Sequence, residues 1–537
     1  MNKRRFIAIS MIAITVLMVI FVTALAESNQ LEEKNLIMGD NSECTTVSVG
    51  KDVSVDGSTI ISYNSDCGGC PFDARIVPEG DWKEGDMRAI MHQGEVCGEM
   101  PQISHTFKYL RSCLPVMNEK GVSIGETTCS IDDSTEYGKE VKEAMFSGDG
   151  IVDYEYILEV VLERASTARE AVETLGKIIE TYKWAPINAE CFNFADGEEI
   201  WIMEVYGLDL WCAFKLANDE VFVSANAARI RDIDFDDKEN VMHSPNIISF
   251  AVEKGWYDPD SGKPFRPADI YGPNRTVYSL RRIWRAFDIV APSLKLSPHE
   301  LEYPQTVVPD QKLSVNDVYK IMGDYYQGTE YDLSKGPAAG PWGDPIRYAN
   351  KGNGDWERSI NMHRTNFFHI SQIKGWLPDA IKGVAWFGYG APDSSYIAPL
   401  SGSMESLPKF YQVGSRWEDF NRDSGWWINI YVQQMAELRY NEAIQDLYAF
   451  RDPKLEMLYQ IIPGIQEKAA EIYQSNPKAA LSLLHNFYYQ QAIALHESWK
   501  NLGDMLLGKY AMGYRNFGTV PYPEWWNEII EYKPVER

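Results

Sequence analysis

The stretch that most constrains this chain is a strand, a turn and a second strand that begin beside a cysteine. Residues 46–50 alternate polar and valine side chains, Asp56-Gly57 is a strong turn dipeptide, and residues 59–63 resume an extended β-branched run. Alternation around an aspartate-glycine turn predicts two paired β-strands. Cys44 stands at the start of the first strand. We therefore predict a thiol that a sheet holds rigidly.

Cys44 is the candidate nucleophile because of the amine that a cut directly before it would create. An α-amine titrates at about 7.7–8.0, so it can accept a thiol proton near neutral pH. The thiolate is the reactive species of a cysteine. Cleavage of the Glu43–Cys44 bond would give one residue both nucleophile and base, with no histidine partner. The alternative for Cys44 is a buried strand cysteine or half of a disulfide.

Three short blocks at the start of this region resemble a known enzyme family. They are residues 44–46 (CTT), 56–59 (DGST) and 64–66 (NSD). They resemble the cysteine N-terminal-nucleophile (Ntn) hydrolase dipeptidases of the dipeptidase A type, relatives of the secernins. Asp66 matches the family's acidic residue, whereas Tyr63 stands where the family usually has arginine. Further blocks similar to the family's follow in order, at residues 117–128, 225–230, 326–345 and 390–395.

The resemblance implies an α/β fold, a four-layer αββα Ntn-hydrolase sandwich in which two sheets lie between helices. It also implies amide hydrolysis through a thioester on Cys44, without a cofactor or a metal. The implied catalytic residues are Cys44 as nucleophile, Asp66 as the group that orients the amine, and Asn226 as a donor to the oxyanion. The candidate substrate-binding residues are Glu126, Thr127 and Arg229.

These polar residues also have simpler interpretations. Asn226 follows a predicted strand, where an asparagine often serves a turn or a cap. Glu126 and Thr127 close another strand, and polar residues there are often turn formers. An arginine placed after a strand, such as Arg229, is typical of a solvated surface.

The first 43 residues predict export and processing. Basic residues at positions 3–5 precede an uncharged apolar run at 6–25, which ends in small residues. This pattern indicates a secretory signal over residues 1–26, and an uncleaved anchor is the alternative because the run is long enough to span a bilayer. Residues 27–43 are polar and acidic, which suits a propeptide, with an attached unstructured spacer as the alternative. We expect an extracellular or cell-surface body.

Charge and cysteine content bound the partners. A formal charge of -26 over 537 residues argues against nucleic acid. A small peptide is the expected substrate, and membrane contact is expected only through the N-terminal segment. The CGGC motif at Cys67 and Cys70 lacks the second ligand pair of a zinc site, so we favour disulfides or buried thiols there.

Periodicity predicts how the rest of the chain is divided. Apolar residues at helical spacing predict one bent helix or two helices over 154–179, and three long helices over 428–446, 454–474 and 479–507. Strand patterns occupy 191–194, 200–205, 210–215, 221–224, 365–372 and 383–389. We therefore predict a catalytic domain at 44–424 and a helical C-terminal region at 425–537, which packs on the core or makes an oligomer contact.

Three functions fit this sequence. The first is an exported cysteine dipeptidase. The second is an acylase that cleaves another linear amide, such as an N-acyl amino acid. The third is a non-catalytic surface protein on the same scaffold. His363 and His369 are interpreted as structural, because the local sequence around a papain-type cysteine is missing.

Overall fold

A computed structural model describes residues 44–67, 69–347, 358–516 and 518–531. The predicted signal segment at 1–26 and propeptide at 27–43 lie outside the described residues. Within the described part of the chain, no helix combines the length and the apolar character that a membrane crossing needs.

The strands form two large antiparallel sheets and three short ribbons. In chain order they are β1 (Cys44–Val49), β2 (Thr59–Ser65), β3 (Arg75–Val77), β4 (Gly80–Asp81), β5 (Met87–His92), β6 (Glu95–Pro101), β7 (His105–Thr106), β8 (Tyr109–Arg111), β9 (Pro115–Asn118), β10 (Ser123–Cys129), β11 (Ala189–Ala195), β12 (Ile200–Gly207), β13 (Leu210–Lys215), β14 (Val221–Ser224), β15 (Val241–His243), β16 (Thr306–Val307), β17 (Phe367–Ile373), β18 (Gly383–Tyr389), β19 (Ala398–Leu400), β20 (Tyr514–Arg515) and β21 (Gly518–Thr519). All six predicted strand regions beyond the first hairpin are confirmed.

The first sheet has the order β16-β14-β1-β2-β17-β18-β19, and the second has the order β15-β13-β12-β11-β10-β9-β8-β3. The predicted pairing of the two strands around the aspartate-glycine turn is confirmed, with Thr46 opposite Tyr63. Gly57 has a φ of +84°, the left-handed backbone that glycine adopts without a steric cost. The strand that begins at Cys44 therefore lies inside a seven-stranded sheet.

The two sheets touch through polar side chains. Asn193 of β11 donates from Nδ2 to Thr46 Oγ1 at 3.1 Å and to Ser48 Oγ at 2.7 Å on β1. Ser123 of β10 donates to Ser371 of β17, with 2.8 Å between the hydroxyl oxygens. Because buried polar groups need partners, these contacts fix how one sheet sits on the other.

The helices lie outside the sheets. They are α1 (Glu136–Met145), α2 (Tyr154–Arg164), α3 (Ala168–Tyr182), α4 (Ile247–Glu253), α5 (Pro267–Tyr271), α6 (Val277–Val290), α7 (Val315–Met322), α8 (Asp379–Lys382), α9 (Gly425–Glu437), α10 (Tyr440–Tyr473), α11 (Pro477–Tyr510) and α12 (Glu524–Ile529). Helices α2 and α3 contact the second sheet, whereas α6, α7, α9 and α11 contact the first. The predicted break between two helices is confirmed at Thr167, which caps α3 by accepting from the Glu170 backbone N–H.

The helical C-terminal region is confirmed, but two of its predicted boundaries are wrong. The chain breaks between α9 and α10, inside the predicted 428–446 segment, and α10 then runs through Pro453 and Pro463. A proline inside a helix costs about 3 kcal/mol. Buried Leu455, Leu458 and Ile462 along α10 supply the packing that offsets this cost. Tertiary packing therefore overrides the local helix-breaking pattern.

Candidate functional site

Cys44 is the first residue of β1, the third of the seven strands in its sheet. Its strand is paired with β14 on one side and β2 on the other, and Cys44 stands opposite Ser65. Its side chain is fully buried. β2 pairs with this strand from Cys44 onward and β14 pairs with it from Thr46 onward, so the strand is held on both sides within two residues of Cys44.

The Cys44 thiol faces a tyrosine and a carboxylate. Its Sγ lies 3.5 Å from the Tyr63 hydroxyl oxygen and 3.6 Å from Glu126 Oε2. The Tyr63 hydroxyl donates to the same Glu126 oxygen at 2.9 Å. Burial raises the pKa of the Cys44 thiol well above its usual range, and the negative charges of Glu126 and Asp66 raise it further. The thiol therefore needs both a base and a compensating positive charge before it can react.

Asn226 contacts the backbone nitrogen of Cys44. Its Oδ1 accepts from the Cys44 backbone nitrogen at 3.2 Å, and its Nδ2 donates to the Thr128 carbonyl at 2.8 Å. Asn226 has a φ of +60°, a left-handed conformation that asparagine tolerates better than most residues. The structure thus brings this predicted residue to Cys44, and its role toward an oxyanion stays a prediction.

Arg282 of α6 is a site residue that the sequence did not single out. Its guanidinium donates to the Cys44 carbonyl at 2.7 Å, to Thr45 Oγ1 at 3.0 Å and to Asn226 Oδ1 at 2.9 Å. It is fully buried, although α6 is otherwise amphipathic. The sequence does contain a signal for Arg282. It lies four residues before Ala286, on the apolar face of the helix, and a charge on such a face is rarely buried without partners.

Asp66 is buried beside the site but faces other partners. Its carboxylate pairs with Arg358 and accepts from Thr365 Oγ1 at 2.5 Å. Burial raises the pKa of Asp66, and the charge of Arg358 opposes that shift. Its predicted action on the Cys44 amine stays a prediction. Arg358 and Thr365 were missed because they lie almost 300 positions further along the chain.

Two predicted substrate-binding residues face elsewhere. Thr127 Oγ1 lies 2.5 Å from Ser224 Oγ, and thus contacts the first sheet. The interpretation of Arg229 as a solvated surface residue is wrong, because it is buried and donates to the carbonyls of Val223 and Pro304. Burial lowers the pKa of Arg229 to about 9. These contacts give Arg229 a structural task, and substrate binding by either residue stays a prediction.

The eight cysteines form one disulfide. Cys67 and Cys70 form a disulfide, and the other six cysteines carry free thiols. Among the described residues no group of three or more histidine, cysteine or acidic side chains is arranged to hold a metal ion. The CGGC motif thus holds a disulfide, which begins two residues after the end of β2.

His369 on β17 is buried between two hydrogen-bonding partners. Its Nε2 lies 3.1 Å from the Ile124 carbonyl, and its Nδ1 lies 3.0 Å from Ser371 Oγ. Burial lowers the pKa of His369 to about 3. The imidazole is therefore neutral at physiological pH, and its two nitrogens serve the packing of β17 on β10.

The neutral His369 predicts a pH-dependent stability. The unfolded chain binds a proton at this histidine below about pH 6.5 whereas the folded chain does not until about pH 3. Its contribution is thus present above pH 6.5 and is lost as pH falls toward 3. Between pH 7.5 and 4.5 we expect the free energy of unfolding to fall by about 2–3 kcal/mol more in the parent than in His369→Gln. Urea midpoints at both pH values measure this; equal losses in both proteins would contradict it.

The fold and the site together define a mixed α/β protein in which a buried polar cluster around Cys44 lies between two antiparallel sheets. The model of Peptidase family C69 matches residues 43–452. The chain therefore belongs to Peptidase family C69.

Several bacterial proteins are similar to it along most of their length. A "Probable dipeptidase" of Salmonella dublin is 31% identical over 392 residues, which are 70% of this chain and 84% of the relative. The "Dipeptidase" of Bifidobacterium longum (strain NCC 2705) is 22% identical over 465 residues, 80% of this chain and 84% of the relative. "Dipeptidase A" of Lactobacillus helveticus is 23% identical over 435 residues, 78% and 87% respectively.

Proposed function

We propose that this chain is an exported cysteine dipeptidase of the N-terminal-nucleophile type. The observation that carries the proposal is that Cys44 presents both its thiol and its backbone nitrogen to enclosed polar partners at the start of a central strand. The relatives that bear the name dipeptidase support the choice of substrate. Once the Glu43–Cys44 bond is cut, that nitrogen becomes an α-amine beside its own thiol.

The proposed reaction uses this amine as the base. It takes the Sγ proton, and the thiolate attacks the carbonyl carbon of the peptide bond to give a tetrahedral oxyanion. The ammonium then returns the proton to the leaving nitrogen, the C–N bond breaks, and a thioester remains on Cys44. Water, deprotonated by the same amine, attacks the thioester and releases the first residue as a carboxylic acid. The thiol and the free amine are thereby restored.

Asn226, Asp66 and Arg282 are proposed to hold the reacting groups in place. The Asn226 amide carries two N–H donors, of which one bonds to the Thr128 carbonyl; the other is the proposed oxyanion donor. Such a donor lowers a barrier by roughly 3–4 kcal/mol. Asp66 is proposed to stabilise the ammonium from a distance, and Arg282 to position the Cys44 carbonyl. Of the predicted substrate contacts, Glu126 lies nearest to the thiol.

The remaining parts of the proposal concern architecture and processing. The arrangement proposed is the four-layer αββα sandwich over residues 44–424, with 425–537 as a helical extension, and it is supported by helices that contact each of the two sheets. Residues 1–26 are proposed to direct export, with or without cleavage, and residues 27–43 to be a propeptide whose removal exposes Cys44. The substrate would then be a small extracellular peptide.

A substrate panel tests the dipeptidase against the acylase. We expect the mature protein to release both amino acids from unblocked dipeptides, measured by liquid chromatography and mass spectrometry, and to act at least about 100-fold more slowly on N-acetyl amino acids. Faster release of acetate than of amino acids would favour the acylase. Failure to hydrolyse either class by a protein whose N-terminus is Cys44 would favour the non-catalytic scaffold.

A further inference from the structure

A second buried carboxylate lies beside Glu126. Glu126 and Thr128 are two residues apart on β10 and so share one face, and Glu190 of β11 stands directly opposite Thr128. Diagonal neighbours on a sheet face are within reach of long side chains. Thr128 Oγ1 donates to Glu126 Oε1 at 3.3 Å, and all three side chains are buried. The two carboxylates therefore share one enclosed patch, whose Glu126 end is 3.6 Å from Cys44 Sγ.

Among the described residues, no ion pair involves either carboxyl of this patch. Glu126 accepts from neutral groups, namely the Tyr63 and Thr128 hydroxyls and the Cys44 thiol. Glu190 is fully buried, and its carboxyl interacts with Glu126 and the Thr128 hydroxyl rather than with a cation of the described residues. Burial raises the pKa of both carboxyls, and the charge of Glu126 raises that of Glu190 further. A buried negative charge without a cation beside it is costly to maintain, so a cationic ligand that offsets it is expected.

The geometry of a dipeptide places one particular group at this patch. The α-nitrogen of the first residue is two bonds from the scissile carbonyl carbon, a separation of about 2.5 Å. A nucleophile in position to attack lies about 3–3.5 Å from that carbon. The α-nitrogen must therefore sit within a few ångströms of Sγ, where Glu126 Oε2 already lies at 3.6 Å.

We propose that Glu126 and Glu190 form the subsite for the free α-ammonium group of the substrate's first residue, and that the bound ammonium offsets the negative charge beside the Cys44 thiol. This inference rests on the proposed function of Cys44 as the nucleophile. It deepens that function by naming the two residues that would recognise the unblocked N-terminus. The bond cleaved is the one that follows the first residue.

The second half of the inference couples recognition to reactivity. In the free enzyme the charge of Glu126 raises the pKa of the Cys44 thiol, which suppresses the thiolate. A substrate ammonium between the carboxylates offsets the charge of Glu126 and so favours the Cys44 thiolate. It does so only when a substrate carbonyl carbon is in place for attack. An N-acylated substrate brings no cation and leaves both carboxyls desolvated. Such a mismatch at a polar subsite lowers kcat/KM by roughly 10²–10⁴-fold.

The test compares two substrates that differ only in this group. L-alanyl-L-alanine carries the ammonium, and L-lactoyl-L-alanine has a hydroxyl in its place. We expect the mature enzyme to prefer the dipeptide by at least about 100-fold in kcat/KM. In Glu126→Gln, Glu190→Gln and the double variant this preference should fall below about tenfold, mostly through slower cleavage of the dipeptide. Glu163 of α2 is a buried carboxylate that pairs with Arg88 of β5. Glu163→Gln is therefore the matched control, and it should keep the parent's preference.

A second measurement separates this role from structural damage. Glu126→Gln should alkylate faster at Cys44 with iodoacetamide at pH 8 than the parent, because the charge that opposes the thiolate is gone, even while its turnover of the dipeptide is slower. A loosened fold would also expose the other buried thiols, so peptide mass spectrometry should show faster alkylation at Cys44 alone, with Cys191 and Cys212 alkylating at the parent's rate. Comparable rates on both substrates by the parent, or an unchanged preference in the double variant, would overturn the subsite and leave the hydrolase intact. Inactivity of the parent on both substrates would instead count against the proposed function.

Discussion

Replacing Cys44 by alanine is expected to abolish peptide hydrolysis and to lower kcat/KM by at least about 10⁴-fold. The variant keeps the strand and its pairing but has no atom that can attack the carbonyl carbon. Cys44→Ser should lose nearly as much, because a hydroxyl beside the Glu126 carboxylate is harder to ionise than a thiol. Steady-state hydrolysis of a dipeptide, with the N-terminus of each variant verified by mass spectrometry, measures both effects.

Cys212 offers the matched control for this experiment. It is a buried free cysteine on β13, and its Sγ lies 3.3 Å from the Tyr206 hydroxyl oxygen, outside the site. Cys212→Ala should reduce stability by about 1–2 kcal/mol and leave kcat/KM within about threefold of the parent. A Cys44→Ala protein that digests dipeptides at the parent's rate would remove this residue from the mechanism.

The local pattern of the chain predicts most of its regular elements. The β1–β2 pair follows from alternation around Asp56-Gly57, and the strands between residues 189 and 224 follow from apolar and aromatic runs separated by turn residues. Each of these signals lies within a few residues of the element that it specifies. The mixed α/β character and the helical C-terminal region are confirmed for the same reason.

Elements that depend on distant partners are not visible in the sequence. Strands β3 to β7 contain few buried residues and carry little apolar alternation, so their pairing is set by neighbours rather than by pattern. The long helix α10 contains two prolines and is continuous because its Tyr440 and Tyr448 hydroxyls donate to the buried carboxylate of Asp393 and its leucines pack inward. Local propensity is outweighed in both cases by tertiary contacts.

The site shows the same division. Cys44 could be predicted because its sequence neighbours form a recognisable strand. Asn226, 182 positions away, was named only through the family resemblance. Arg282 and Arg358 were missed, because Arg282 contacts Cys44 across 238 positions and Arg358 contacts Asp66 across 292. Glu190 illustrates the physical reason. A lone acidic residue at the start of a strand is typical of a solvent-exposed strand end, and only its cross-strand register with Thr128 places it beside buried Glu126.

The second large effect concerns the residue that precedes Cys44. We expect a protein with one extra glycine before Cys44 to hydrolyse dipeptides about 10³-fold more slowly than a protein whose N-terminus is Cys44 itself, because an amide nitrogen cannot accept a proton whereas an α-amine with a pKa of about 7.7–8.0 can. A site-specific protease that cuts an engineered sequence directly before Cys44, or one residue earlier, gives this matched pair. Mass spectrometry establishes that the glycine remains during the assay.

The comparison isolates the base from the geometry. Both proteins retain the nitrogen atom that Asn226 Oδ1 faces at 3.2 Å and the carbonyl that Arg282 binds, so the position of the thiol is the same in each. Only the basicity of that nitrogen differs. In the mature protein kcat/KM for L-lactoyl-L-alanine, whose first residue carries no amine, should rise as pH passes through the range of the Cys44 amine, since the deprotonated amine is the active form. An extended protein that works as fast as the mature one would show that Cys44 takes its base from another residue, and the self-activated thiol would have to be abandoned.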